Sequence, residues 1–409
     1  MEAEQLVGWV RKMQEGGREG SVSMHSVIIH VPSHLTSRRL LEDVTPAKQG
    51  KDGIVSLQRI RLTLVQILYG VPVPQSSIPR LLHLASLLHR GSVSVMIDNL
   101  DAFQKFHSSL WKSELEIGVF IKIDTGYHRA GIQASSPSFA ELVGAVLSQS
   151  GKSMVFKGFY SHYGHSYAGN TQDDAAVGLI AELVGLQEAV SFVPPSHTGR
   201  VVLSVGATPT ATAAQNMLSV SSPKAKEFMD VLGRLKKKYD IELHAGVYPL
   251  LDCQQVATHA RPASNPTKNF QPLSKDNIAI RMLVEVTSIY NERGKPEALV
   301  SAGSLAMGRE PCKSYPGWGI VTSDLGNSMT ESVYDEREGK TGWIVGRISQ
   351  EHGILTWEGE RDKCNSLTIG ERVMVWPNHA CVAGAGFGWY LVVDGGDEVV
   401  DVWVRWRGW

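Results

Sequence analysis

The sequence has little that would cross-link it or anchor it in a membrane. Its 409 residues include four cysteines, Cys253, Cys312, Cys364 and Cys381. That is too few for a disulfide framework in a chain this long, so a reduced, cytoplasmic protein is expected. No apolar run approaches the ~20 residues that span a bilayer. The most apolar helical stretch, 175–193, is interrupted by Glu182, Gln187 and Glu188 and reads as an amphipathic, soluble helix. The first residues carry no basic-then-apolar leader pattern. Neither charge sign dominates, with 40 Lys and Arg against 41 Asp and Glu. There is therefore no electrostatic reason to expect nucleic acid or an anionic membrane as a partner. Internal repeats and low-complexity tracts are missing too.

What is present has ordinary globular composition and enough length for two domains or one large barrel with an addition. Between 65 and 246, short apolar runs alternate with amphipathic stretches. The runs fall at 66–69, 93–97, 117–123, 154–160, 201–205 and 241–244. Helical segments fall at 79–89, 101–110, 138–148, 173–190 and 224–238. This alternation predicts parallel strands joined by helical crossovers. A (β/α)8 barrel needs eight strands. Six are legible, 26–31 is a candidate seventh, and one strand–helix unit is missing before 65. After 277 the texture changes to short alternating runs at 279–286, 343–349, 353–357, 372–376, 390–393 and 399–404, separated by Gly and Asn turns. That predicts a mainly β second domain. Pro262, Pro266 and Pro272 mark 260–272 as a linker or long loop. The expected organisation is an atypical segment 1–65, a barrel 66–260 and a β domain 277–409. Trp403, Trp406 and Trp409 are expected to pack the aromatic face of a last strand on the core.

Four constellations could carry chemistry. The first lies at the end of the strand at 117–123. Lys122 and Asp124 are two apart and share a strand face, and Gly126 and Gly131 let the chain turn so that Arg129 returns over the mouth. Charges alone would more often make a surface turn. The second, 158–167, packs Tyr160, His162, Tyr163, His165 and Tyr167 into a few residues, suited to stacking on a flat ring and donating hydrogen bonds. The third, 204–210, sets small hydroxyl residues around Gly206, Ala207 and Thr208, where backbone N–H groups could cradle a phosphate. Such turns are common. The fourth is His379-Ala-Cys381. Imidazole and thiolate two apart on one strand face can share a zinc ion. Two ligands fall short of a closed structural site and suit a catalytic ion with open positions.

Taken in order, these stretches resemble the alanine racemase-like enzymes of pyridoxal 5'-phosphate (PLP), and most closely the zinc- and PLP-dependent D-serine dehydratases. Further matching stretches are 67–74, 96–99, 242–248, 301–310 and 349–353. The resemblance runs from about Gln66 to the C-terminus. It implies a PLP-binding (β/α)8 barrel followed by a β domain, in a head-to-tail homodimer. By the same resemblance, Arg129 neighbours the cofactor ring with support from Lys122. Tyr160 and Tyr167 contact the cofactor, Gly206, Ala207 and Thr208 form its phosphate turn, and Tyr248 lies near the phosphate. His379 and Cys381 are the zinc ligands.

The implied activity is elimination of water from D-serine or D-threonine to give a 2-oxo acid and ammonia. D-threonine aldolases are the nearest alternative, and a non-catalytic PLP- or metal-binding relative is a third. The family's cofactor-bearing lysine sits in a basic N-terminal run. Residues 1–65 hold no such run, and Lys48 and Lys51 are its only nearby substitutes, so the chain as written is expected to be a feeble lyase. Racemases place an arginine ahead of Gly246 where this chain has His244, which leaves the partner of the pyridine nitrogen open.

Overall fold

The computed structural model describes residues 27–30 and 66–404, apart from 111–113, 152, 220–221, 249, 262–271, 323–332, 336–338 and 394–397. Strand β1 (Val27–His30) pairs antiparallel with β2 (Gln66–Pro72). From β2 the sheet continues through β3 (Val93–Ile97), β4 (Ile117–Lys122), β5 (Met154–Tyr160), β6 (Val202–Val205) and β7 (Asp240–Leu243), all parallel and in sequence order. The crossovers carry α1 (Ile78–Leu87), α2 (Leu100–Ser109), α3 (Phe139–Gln149), α4 (Gln172–Val190), α5 (Thr208–Ser219) and α6 (Pro223–Leu235). The helices start where the sequence supplies caps. Asn99 accepts from Ala102 N at 2.8 Å. Thr171 and Asp174 form a reciprocal capping box, and Ser222 precedes a proline at the first position of α6. These groups satisfy the otherwise orphaned first-turn N–H groups.

The strand period of two sorts side chains onto two faces. Val93, Val95, Ile97, Ile117, Val119, Ile121, Leu203 and Val205 join the large core under the helices. Leu68, Met96, Phe120 and Tyr160 form a separate cluster on the opposite face. Two residues beyond Phe120 on that face comes Lys122, and two beyond Val202 comes Ser204. The inner face of the half-barrel thus carries the Leu68–Met96–Phe120 cluster, with Lys122 and Ser204 beyond it at the C-terminal strand ends.

The second unit is a closed antiparallel barrel. Its strands β8 (Met282–Tyr290), β9 (Glu297–Val300), β10 (Gly319–Thr322), β11 (Gly342–Ile348), β12 (Gly353–Glu358) and β13 (Arg372–Pro377) close in the order β10-β11-β12-β9-β8-β13. Closure removes the exposed strand edges. Val286, Val300, Val345, Leu355, Trp357, Val373 and Val375 fill the interior. A third cluster joins the units: Val247, Leu251, Cys253, Val256 and Ala257 pack with Ile320, Ile344, Trp376 and Ala380. It includes the short helix α7 (Cys253–Ala257), and α9 (Ala380–Ala385) follows β13, after α8 (Ser304–Met307). A hairpin of β14 (Trp389–Val393) and β15 (Val399–Val404) ends the described chain.

Several expectations need correction. The strand expected at 26–31 exists as β1, but it runs antiparallel and so is no unit of a parallel barrel. Helix α5 and strands β9 and β10 were not anticipated: α5 is rich in Thr and Ala with little amphipathic contrast, and β9 and β10 have only four residues each. Trp403 pairs with Tyr390, whose ring packs against the joining core. Trp406 and Trp409 lie outside the described residues, as do Lys48, Lys51 and the rest of 1–65 apart from β1.

Candidate active site

The site gathers at the C-terminal ends of β4 to β7, where a parallel barrel carries its chemistry. After β4 the chain is folded back by Asp124. One carboxylate oxygen accepts from Gly126 N and His128 N, each at 3.0 Å, and the other lies 2.7 Å from His128 Nδ1. Burial would raise this carboxyl, but the bonds from His128 and Gly126 hold it below the usual range. Gly131, at φ +116°, leaves no room for a Cβ, which would lie 2.7 Å from Asp124 N. Its own N–H donates to Asp98 at 3.2 Å. Arg129 returns to the rim, with its guanidinium 5.1 Å from the Tyr127 ring centroid.

Behind the rim the inner face is a stack of rings and buried charges. Lys122 Nζ sits 5.0 Å from the centroid of Tyr160. The Tyr160 ring stacks on His244 at 4.2 Å and 10°, and His244 stacks in turn near His162 at 6.1 Å. Burial pushes the Lys122 amine down to about 8, against the pull of Glu182, and Arg129 lowers it further. Burial also lowers His162 to about 3, helped by Arg129 and Lys122, and holds His244 well below the histidine range. Both imidazoles are thus neutral at pH 7. His162 Nδ1 lies 3.0 Å from Gly206 O. A carbonyl only accepts, so Nδ1 carries the hydrogen and Nε2 keeps its lone pair. His244 Nδ1 is 3.0 Å from Ser204 Oγ, which donates to Glu242 at 2.8 Å.

The phosphate-turn expectation is changed in detail. Gly206, at φ +138°, packs so closely on β7 that a Cβ would lie 2.2 Å from His244 O. Its N–H is already used by Glu182 Oε1 at 3.1 Å, and Ala207 N donates to Thr210 Oγ1 at 2.8 Å. These two amides hold the turn rather than face a ligand. Thr208 opens α5, so the positive end of a 12-residue helix points at the mouth. The Thr208 hydroxyl accepts from Val247 N at 3.0 Å, which ties the turn to the loop carrying Tyr248. Glu182 was missed, because in sequence it is only a break in an apolar stretch. It is fully buried, and burial raises its carboxyl to about 7 despite the bond from Gly206.

The H-x-C pair is also placed differently. Strand β13 ends at Pro377, and His379 is the N-cap residue of α9, with Cys381 inside its first turn. The pair is therefore not on a strand face. It nevertheless reaches the barrel mouth: the His379 ring stacks on Tyr167 at 6.1 Å and 19°. The Tyr167 hydroxyl is raised by burial and by the nearby Asp252 and Cys381, while Thr208 pulls it back. Tyr167 thus stands between the start of α5 and the His379–Cys381 turn. Among the described residues no group of three His, Cys, Asp or Glu side chains could hold a metal. The two donors fit an ion that keeps open positions rather than a closed structural site. The neutral ring wall, the rim arginine and the helix start fit a planar anionic phosphate ester.

A parallel half-barrel with helices outside, feeding its strand ends into a β domain, defines an enzyme of the alanine racemase-like class. An alanine racemase N-terminal domain matches residues 77–221 and a serine dehydratase domain matches 279–393. The chain is 36% identical to D-serine dehydratase of Schizosaccharomyces pombe, covering 84% of this chain and 74% of the relative. It is 28% identical to D-threo-3-hydroxyaspartate dehydratase of Delftia sp., over 84% of this chain and 79% of the other. A solved structure of a D-threo-3-hydroxyaspartate dehydratase variant, in the metal-free form, superposes with a TM-score of 0.62. It is 25% identical, with 84% of this chain and 79% of that one covered. The chain belongs to the D-serine dehydratase family.

Proposed function

We infer that the protein is a PLP- and zinc-dependent lyase that removes water from a D-3-hydroxy amino acid, D-serine or D-threonine, to leave a 2-oxo acid and ammonia. The observation that carries this reading is Tyr167, stacked on His379 while its hydroxyl lies beside Thr208. It brings the start of α5 and the His379–Cys381 pair to one place. When bound, PLP would supply the electron sink for a substrate Cα carbanion, and zinc the charge that stabilises a departing hydroxyl.

The chain's own residues do the rest. Tyr160 and Tyr167 orient a flat ring, and Arg129 closes the rim. The start of α5 takes the phosphate. His162, neutral with its Nδ1 hydrogen given to Gly206 O, keeps Nε2 as a hydrogen-bond acceptor. His379 and Cys381 would hold the metal on the side where a substrate's β-hydroxyl must enter. We place the enzyme in the cytoplasm as a homodimer. Half or more of the surface of Leu305, Trp389, Leu391 and Val402 is exposed, an apolar face suited to a second subunit. No helix among the described residues is long and apolar enough to cross a membrane.

The test is product analysis on D-serine and D-threonine with PLP and zinc supplied. Pyruvate or 2-oxobutyrate with ammonia is expected. Glycine with an aldehyde would instead mean Cα–Cβ cleavage and an aldolase. Borohydride trapping followed by peptide mapping would show whether Lys48 or Lys51 carries the cofactor.

A further inference from the structure

The loop after β7 runs from the ring wall to the metal-side turn, and one carboxylate spans the gap. Asp252 is fully buried. One oxygen, Oδ1, accepts from Gln255 N at 2.9 Å and caps α7. The other, Oδ2, crosses between the units and accepts from Ala380 N at 2.9 Å. Ala380 lies between His379 and Cys381. Beside this bond, Gln254 N donates to Asn378 O at 3.1 Å. Two adjacent bonds therefore clamp residues 378 and 380 to α7.

The other side of the turn is fixed as well. The Asn378 amide donates to Glu310 O at 2.9 Å and Gly317 O at 2.8 Å, and its oxygen accepts from Tyr315 at 2.5 Å. Upstream, Val247 N is tied to Thr208. A short run of chain from Val247 to Asp252 thus links the helix start that faces the phosphate to the turn that carries His379 and Cys381.

The geometry points to Asp252 as a positioning residue: its cross-unit bond to Ala380 N holds His379 and Cys381 at the barrel mouth in the conformation that binds metal. The role rests on the zinc reading above, and it makes sense of a buried carboxylate that the chemistry itself does not use. A carboxylate accepts two bonds in diverging directions at once, which no neutral side chain of this length does as well.

Two variants separate the cross-unit bond from the helix cap. Asp252→Ser keeps an N-cap hydroxyl for Gln255 N but is too short to reach Ala380. Ala380→Pro removes the donor itself. Ala380 is the first residue of α9, where proline is tolerated, and His379 has the extended backbone that a following proline requires. If one variant does not fold, the other carries the test.

Hydrogen exchange of the peptide covering 378–382 and zinc affinity by chelator competition are measured on the full chain. Exchange there is expected to speed up at least about tenfold in Asp252→Ser, with β13 unchanged; in Ala380→Pro, which lacks the amide itself, the same rise is expected at Gln254, whose N–H donates to Asn378 O. Zinc affinity should fall about 10–100-fold, the usual effect of losing a group behind the metal ligands, and the double variant should be no worse than the singles. Unchanged exchange at 378–382 in folded Asp252→Ser, or at Gln254 in folded Ala380→Pro, overturns the positioning role. A wild-type chain that takes up no zinc overturns the zinc reading, and the exchange data then decide the Asp252–Ala380 clamp independently.

Discussion

The two units handle polar groups in opposite ways. The closed β barrel is dry: Trp357, Leu355, Val345 and Val373 fill it, and its strands have no free edge. The parallel half-barrel buries Lys122, Glu182, Ser204 and His244 around the C-terminal ends of its strands, and Asp252 is buried where the units join. Burying ionisable groups costs stability unless they are paired or neutralised. Here the tension is relieved partly by neutralisation, since Glu182 and Asp252 rise to about 7 and the histidines stay uncharged. One unit is organised for stability, the other for chemistry.

The contrast can be broken from either side. The largest effect is expected from Trp357→Ala, which empties the middle of the closed barrel. It should cost ~3–5 kcal/mol in urea unfolding, and by the same amount at pH 5 and pH 8. A loss that varied strongly with pH would show that the barrel is not the dry unit described.

Next comes Glu182→Gln. The folded carboxyl keeps its proton up to about 7, whereas the unfolded one releases it near 4.5. Between those values the native state binds more protons, so its stability falls as pH rises through this window. The wild type should lose on the order of 3 kcal/mol across it from this group. The variant should lack that contribution, while Asp252, which titrates in the same direction, and His162 and His244, which titrate in the opposite one, shape both curves alike. Parallel stability–pH curves for the two proteins would contradict the assignment.

Gly206→Ala forces a side chain into a positive-φ position against His244 O. The expected cost is ~1–3 kcal/mol, together with weaker PLP binding by fluorescence titration. Normal PLP affinity in a destabilised variant would separate the turn from the phosphate.

The smallest stability change belongs to the His379→Ala/Cys381→Ala double variant. Both side chains are half-buried at the mouth and outside the barrel core, so urea unfolding of the metal-free proteins should differ by less than ~1 kcal/mol. Metal analysis should nevertheless show zinc in the wild type and none in the variant.

Much of this was legible in the sequence because it is local. The strand at 154–160 and the helix around 173–190 follow from apolar period and caps. The rim turn follows from Asp124, Gly126 and Gly131, and the order of motifs carried the family. Other features were not legible, because contact partners lie far apart in the chain. Glu182 reads as a break in an apolar helix until α4 packs its carboxyl under Gly206. Asp252 reads as a loop acid until β13 delivers Ala380 to it across 128 residues. Even the H-x-C pair was misplaced, since periodicity cannot tell the last residues of a strand from the first turn of the helix that follows.

The sequence by itself determined the parallel βα order, the β character of the second unit and the residue types at the strand ends. Backbone dihedral preference and hydrophobic period act over a few residues. Only the tertiary structure decided which polar groups are buried together, which N–H groups of the Gly206 turn are already taken, and how His379 comes to stack on Tyr167. Those outcomes depend on desolvation and on hydrogen bonds between segments that meet only when the two units close on each other.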